Sequence, residues 1–150
     1  MIKVKVKKEN ANAVIPNYMS KGAAGCDVNA CIETVVKIEP GQRMAVPTGL
    51  SVEIPEGYEI QVRPRSGLAF KKGLTVVNAP GTIDSDYRGE IKVLVINLGA
   101  ETVEILPQDR IAQLVLQKVE QIDWMESEGL GETVRGAGGF GSTGVSTTNA

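Results

Sequence analysis

The chain of 150 residues contains no histidine. That absence excludes a Ser-His-Asp triad, a histidine general base and a histidine-ligated zinc site. Only two cysteines occur, so one chain cannot offer zinc four cysteine ligands. Cys26 and Cys31 stand at an odd offset that points them to opposite faces of an extended strand, which argues against a bridge. Both read as reduced thiols, as in a cytoplasmic protein. A dominant sign of charge is also missing: sixteen Lys+Arg against eighteen Asp+Glu give a net charge of −2. No broad phosphate-neutralising surface follows from that balance, so the expectation is no nucleic-acid partner. No apolar run approaches the roughly 18 residues of a membrane span. Lys3, Lys5, Lys7 and Lys8 interrupt any signal-peptide core, and the expectation is a soluble protein without a membrane partner. Aromatics are scarce, with one Trp, three Tyr and two Phe, so aliphatic side chains must carry the core. The chemistry that remains belongs to carboxylates, Arg, Lys, hydroxyls, amides and the backbone.

What is present reads as strands. Ile2, Val4 and Val6 alternate with Lys3, Lys5 and Lys7. Short β-rich runs follow at residues 34–38, 43–46, 50–54, 58–62, 74–78, 90–97, 102–106 and 110–119, punctuated by Pro40-Gly41, Pro47, Pro55, Pro64, Pro80-Gly81 and Pro107. Many short strands with closely spaced turns predict an all-β sandwich, barrel or jelly roll. One short helix is expected at 66–72, with Ser66 as its cap and Gly73 as its stop. From Glu128 the composition turns to Gly, Ser and Thr, which predicts a β domain over 1–127 and a flexible C-terminal arm over 128–150.

Several segments carry more than structure. Residues 135–144 read RGAGGFGSTG, where a guanidinium, glycine amides and hydroxyls suit oxyanions and Phe140 suits a stacked ring. The G-x-G-x-x-G inside it is no dinucleotide fingerprint, because no strand precedes it and no helix follows within a βαβ unit. Pro64-Arg65-Ser66-Gly67 places Arg, a hydroxyl and a permissive Gly where a strand meets a helix, an anion cradle or a capped surface helix. Residues 81–90 read GTIDSDYRGE, a turn-rich segment in which an ionised Asp can orient a water or hold a metal through oxygen. Asp86 there reads as a solvated acid. Asp27 and Gln113 are polar residues in apolar, strand-like surroundings, where each can equally serve as a satisfied structural group.

Taken in order, AAGCDV at 23–28, PRSGLAFKKG at 64–73, GTIDSDYRGE at 81–90, RIAQL at 110–114 and RGAGGFGSTG at 135–144 resemble the five motifs of the trimeric deoxyuridine triphosphatases. The resemblance implies a distorted jelly roll with one short helix and a glycine-rich arm, assembled as a homotrimer whose active sites are shared between chains. It implies hydrolysis of dUTP to dUMP and pyrophosphate with Mg²⁺, which supplies dUMP for thymidylate synthesis and keeps uracil out of DNA. On the matching positions, Arg65, Ser66 and the Gly67 amide would hold phosphates and Gln113 would contact the α-phosphate. Asp84 would position the attacking water. Asn78, the hairpin backbone after Gly81 at Thr82, Ile83 and Asp84, and the Lys92 main chain would read uracil. Tyr87 would pack on the deoxyribose, where a 2′-hydroxyl clashes. Arg135, Phe140, Gly141, Ser142 and Thr143 would close over the nucleotide. Magnesium would be held mainly by substrate phosphates and waters, with Asp27 in a supporting role.

Gln108 stands where the family often has Gly, and Cys26 and Val28 are less usual neighbours for Asp27. Readings from other classes remain. A dCTP deaminase, from a sister family of similar fold, needs a glutamate base that the family pattern places at about Leu94, and leucine cannot do that work. A regulatory protein would keep the nucleotide site as a switch. A structural jelly-roll subunit would have no need of Arg65, Asp84 and Arg135. Trp124 has no assigned role.

Overall fold

The computed structural model describes residues 1–145. The last part of the arm expected at 128–150, residues 146–150, lies outside the described residues. The chain divides into a compact unit, Met1–Glu120, and a second that begins at Gln121.

The first unit is built from eleven strands and one helix; the all-β character and the helix are as the sequence predicts, while β2 and β8 below are strands it does not mark. In chain order they are β1 (Lys5–Lys8), β2 (Cys26–Asn29), β3 (Val36–Ile38), β4 (Arg43–Pro47), β5 (Leu50–Glu53), β6 (Tyr58–Arg63), α1 (Ser66–Lys72), β7 (Leu74–Val76), β8 (Gly81–Ile83), β9 (Lys92–Asn97), β10 (Val103–Ile105) and β11 (Arg110–Lys118). Every pairing is antiparallel, in the crossed connectivity of a distorted jelly roll: β2-β11-β6-β8, β4-β9-β7, β1-β5 and β10-β3. In β9 the period-2 pattern buries Val93, Val95 and Asn97 and turns Lys92 and Leu94 outward. The buried apolar set is aliphatic throughout, led by Ile38, Leu50, Ile105, Val28, Val46, Val93 and Val95, and no aromatic side chain belongs to it. Asn97, fully buried, donates to the Ile38 and Glu101 carbonyls and accepts from the Gly99 amide, so its burial leaves nothing unpaired.

Three local findings shape the site. β11 buries consecutive residues, Ile111 and Ala112, because its register against β2 shifts between Arg110 and Ala112. Such a bulge re-aims a side chain at the strand's end. Helix α1 does not use Ser66 as its cap. Arg65 is the extended N-cap residue, no side chain caps the helix, and Ser66 is its first helical residue, so the first-turn amides stay open. At the other end Gly73 takes the left-handed conformation that stops the helix, and a Cβ there would strike the Gly99 backbone. Cys26 and Cys31 are both free. Burial pushes each thiol above its ordinary value, with the Asp27 charge adding at Cys26 and the Glu90 charge at Cys31, so both stay protonated at neutral pH.

Gln108, the unusual turn residue, has φ 69°, the conformation a glycine takes without cost. Its amide donates to the Ala30 carbonyl and its side chain to the Asn12 carbonyl. Gln108→Ala is therefore expected to lower stability by about 0.5–1 kcal/mol, since it loses the side-chain bond and keeps the left-handed cost. Gln108→Gly should come out within about 0.5 kcal/mol of the parent, because relief of that cost offsets the lost bond. Urea midpoints of the three proteins check this.

The second unit contains no helix or strand among its described residues. Trp124 is exposed there. Its glycine-rich stretch is a run of tight turns, with left-handed backbone at Gly136, Phe140, Gly141 and Gly144.

Candidate active site

Two recesses in the first unit gather most of the candidate residues. The first surrounds β8, the edge strand of its sheet, whose outer side keeps backbone groups free of β6. It encloses about 400 Å³, and Asn78, Gly81, Thr82, Ile83, Asp84, Tyr87 and Lys92 all line it. Gly81 lets the strand close on its neighbours: a Cβ there would sit 3.2 Å from the Val62 Cβ and 3.3 Å from the Asn78 side-chain nitrogen. The chain then turns sharply, with the Tyr87 amide donating to the Asp84 carbonyl. Asp84 is exposed, and no cation pairs with its carboxylate among the described residues. An unpaired carboxylate at a recess mouth is free to accept from a water. Tyr87 lies against Gly89, where a Cβ would collide with the phenol, and its hydroxyl donates to the Glu90 carbonyl at 3.0 Å.

The second recess, of about 430 Å³, is lined by Asp27, Arg65, Ser66, Gly67, Gln113 and the lysines of the last turn of α1, Lys71 and Lys72. Register builds it, for Gln113 is paired with Asp27 of β2 on one side and Arg63 of β6 on the other. The chain leaves β6 through Pro64, whose carbonyl accepts from the Gln113 side chain at 3.3 Å, and enters α1 at Arg65. Gly25 makes room for Gln113, since a Cβ there would lie 3.1 Å from its side-chain oxygen. Asp27 accepts from Arg65 Nε at 3.2 Å through Oδ1 and from Arg110 Nη1 at 3.4 Å through Oδ2. Arg65 Nη1 also donates to the Arg110 carbonyl at 3.0 Å. Two nitrogens of the Arg65 guanidinium, Nε and Nη1, are thus engaged, and its other N–H groups remain for an anion. Arg65 and Arg110 pair with the Asp27 carboxylate while Lys71 and Lys72 line the same recess as Arg65, and the excess of positive charge favours phosphate.

Arg135, Phe140, Gly141, Ser142 and Thr143 belong to the second unit. There Arg135 Nε donates to the Gly138 carbonyl at 2.7 Å, the Ser142 amide donates to the Gly139 carbonyl, and Phe140 is fully exposed. An unburied ring on a left-handed residue is costly to keep without a partner.

The structure adds residues that sequence reasoning passed over. Arg110 shares a motif with Gln113 yet drew no role, because the bulge that aims it at Asp27 leaves no mark in composition. Glu90 lines the first recess, and so does Leu94, where a deaminase would require glutamate. For Mg²⁺ the donor set is informative. No group of three or more His, Cys, Asp or Glu side chains comes together among the described residues. Asp27 is the one acid lining the second recess. Such a set fits magnesium carried by substrate phosphates and water.

The sequence matches the family described as dUTPase over residues 11–144. It is 57% identical over 143 residues to a deoxyuridine 5′-triphosphate nucleotidohydrolase of Nautilia profundicola, covering 95% of this chain and 99% of the relative. It is 59% identical over 142 residues to one from Bdellovibrio bacteriovorus, covering 94% and 95%. The fold is similar to that of the Staphylococcus bacteriophage 80alpha dUTPase with dUpNHpp, at a TM-score of 0.87 and 27% identity over 95% of this chain and 99% of the other.

Proposed function

The chain belongs to the dUTPase family and hydrolyses dUTP to dUMP and pyrophosphate, and from that premise we propose how its own residues divide the work. Uracil enters the recess beside β8. Backbone groups of Thr82, Ile83 and Asp84, the Asn78 amide and the Lys92 main chain imitate a pairing partner for its edge. A cytosine amino group there meets a donor, and buried donors left unpaired allow large discrimination. The Tyr87 ring packs on the sugar.

The triphosphate is held by Arg65, Ser66 and the Gly67 amide, with Gln113 at the α-phosphate. Asp84 accepts a hydrogen bond from a water and aims it at the α-phosphorus. The water oxygen bonds to that phosphorus as the bond to the α,β-bridging oxygen breaks. Pyrophosphate leaves, and the water's proton passes to Asp84 and then to solvent. Mg²⁺ bound to the phosphates would offset their charge and favour the departing pyrophosphate, with Asp27 supporting it from beyond the phosphates. The glycine-rich arm, residues 128–150, closes the site: Phe140 stacks on the base, and Arg135, Gly141, Ser142 and Thr143 surround the phosphates, which excludes water. The chain acts as a homotrimer with active sites shared between chains, in the cytoplasm, where free thiols such as Cys26 and Cys31 persist. The unpaired Asp84 carboxylate beside an edge strand is the observation that carries this reading.

Pyrophosphate release with Mg²⁺ from dUTP, dCTP, dTTP and UTP tests it. Release is expected from dUTP, with the other three at least about a hundredfold slower in kcat/KM. Equal turnover of all four would show that the β8 recess and Tyr87 do not select the nucleotide.

A further inference from the structure

Tyr87 forms one wall of the β8 recess, and its position is set by two hydrogen bonds that meet at Glu90. The Glu90 carbonyl accepts from the phenol at 3.0 Å, and its carboxylate Oε1 accepts from the Gly49 amide at 2.9 Å. Gly49 lies in the buried, closely packed turn between β4 and β5. Its φ is 68°, and a Cβ there would stand 2.8 Å from the Ala13 Cβ and 2.9 Å from the Cys31 sulfur. Both flanks of that turn are fastened to the residue after Glu90. The Thr48 hydroxyl donates to the Ile91 carbonyl at 2.7 Å, and the Ile91 amide donates to the Leu50 carbonyl at 2.8 Å. On the other side Tyr87 rests on Gly89, where no Cβ fits. Glu90 therefore connects a buried, closely packed turn of the core to the ring at the recess.

We propose that Glu90 is a positioning residue for Tyr87, and that through it the enzyme sets its discrimination between deoxyribose and ribose; this rests on the reading of Tyr87 as the sugar contact. A carboxylate is a stronger acceptor than a neutral oxygen, and the amide it serves is buried. Without it the Gly49 N–H loses its acceptor, and the segment carrying Tyr87 loses one of its ties to the β4–β5 turn. A ring displaced by even about 1 Å opens space for a 2′-hydroxyl.

The test is the ratio of kcat/KM for dUTP over UTP, measured on the full chain with Mg²⁺. Glu90→Ala should lower that ratio about tenfold, chiefly through a lower KM for UTP, which is the effect of one charge-assisted hydrogen bond. Glu90→Gln keeps an oxygen acceptor in place and should hold the ratio within about threefold of the parent. Simple destabilisation would slow both nucleotides together and leave the ratio alone, and that result would overturn the proposal. Should Glu90→Ala fail to fold, Tyr87→Phe, which removes only the link to the Glu90 carbonyl, must still lower the ratio by about threefold; an unchanged ratio overturns the proposal. Tyr87→Ala separates the two layers of the argument. If it retains the ratio, the sugar-contact reading fails. If it loses the ratio while Glu90→Ala keeps it, only the role given to Glu90 fails.

Discussion

Asp84→Asn is expected to reduce kcat for dUTP by about 10³-fold while nucleotide affinity stays within about threefold of the parent. The substitution preserves the shape of the side chain and an oxygen acceptor, and removes the charge that orients the water and receives its proton. Asp84 is exposed and paired with no cation among the described residues, so the fold loses no ion pair. Its backbone contribution, the carbonyl that accepts from the Tyr87 amide, is untouched by the change. The base recess should therefore keep its form, and binding and turnover should separate. Steady-state kinetics beside equilibrium binding of a non-hydrolysable dUTP analogue measures both. Loss of affinity in proportion to turnover would make Asp84 a binding residue and leave the water without an orienting group. Unchanged turnover would remove it from the reaction altogether.

The segment that carries Asp84 is legible in the sequence as a turn, because its glycine, carboxylates and tyrosine fall within one stretch of chain. The long alternating strands were legible for the same reason, as was the glycine that stops α1. β2 and β8 were not drawn as strands. β2 is four residues, CDVN, with Asp and Asn that strands disfavour, and β8 is three residues opening on Gly. Both are held by register against longer partners, β11 and β6, and that pairing has no local signature. The second recess shows the same limit more sharply. Asp27 meets Arg65 across 38 positions of sequence and Arg110 across 83, and the meeting depends on a bulge in β11. Motif order could nominate Asp27 and Arg65, whereas the carboxylate's function as a clamp on two guanidinium groups emerges only from tertiary pairing. The cap of α1 differs for a related reason. Arg65 is drawn into the extended N-cap position by its bonds to Asp27 and the Arg110 carbonyl, which leaves Ser66 inside the helix.

That clamp determines what replacing Arg65 should do. Arg65→Ala is expected to lower kcat/KM for dUTP by about 10³-fold, the scale of losing a fixed cation from a phosphate that gains charge in the transition state. The change also leaves the Asp27 side chain, 18% exposed, with Arg110 Nη1 at 3.4 Å as its remaining cation, which should cost about 1–2 kcal/mol of stability. Arg65→Lys restores the charge without the fork. Arg65 uses Nε for Asp27 and Nη1 for the Arg110 carbonyl at once, and an ammonium offers a single nitrogen on a flexible stem. Lysine is accordingly expected to recover no more than about tenfold of the lost activity. The loss should also depend on ligand length. dUMP keeps the base recess and the α-phosphate contact at Gln113, so its affinity should fall by less than about threefold, while a triphosphate analogue loses far more. Calorimetric titration of the two ligands into the parent and both variants decides the matter. Equal losses for dUMP and the triphosphate would place Arg65 at the α-phosphate or the base. A lysine variant as active as the parent would mean that the charge alone acts, and that the grip of Asp27 on the guanidinium contributes nothing to the reaction.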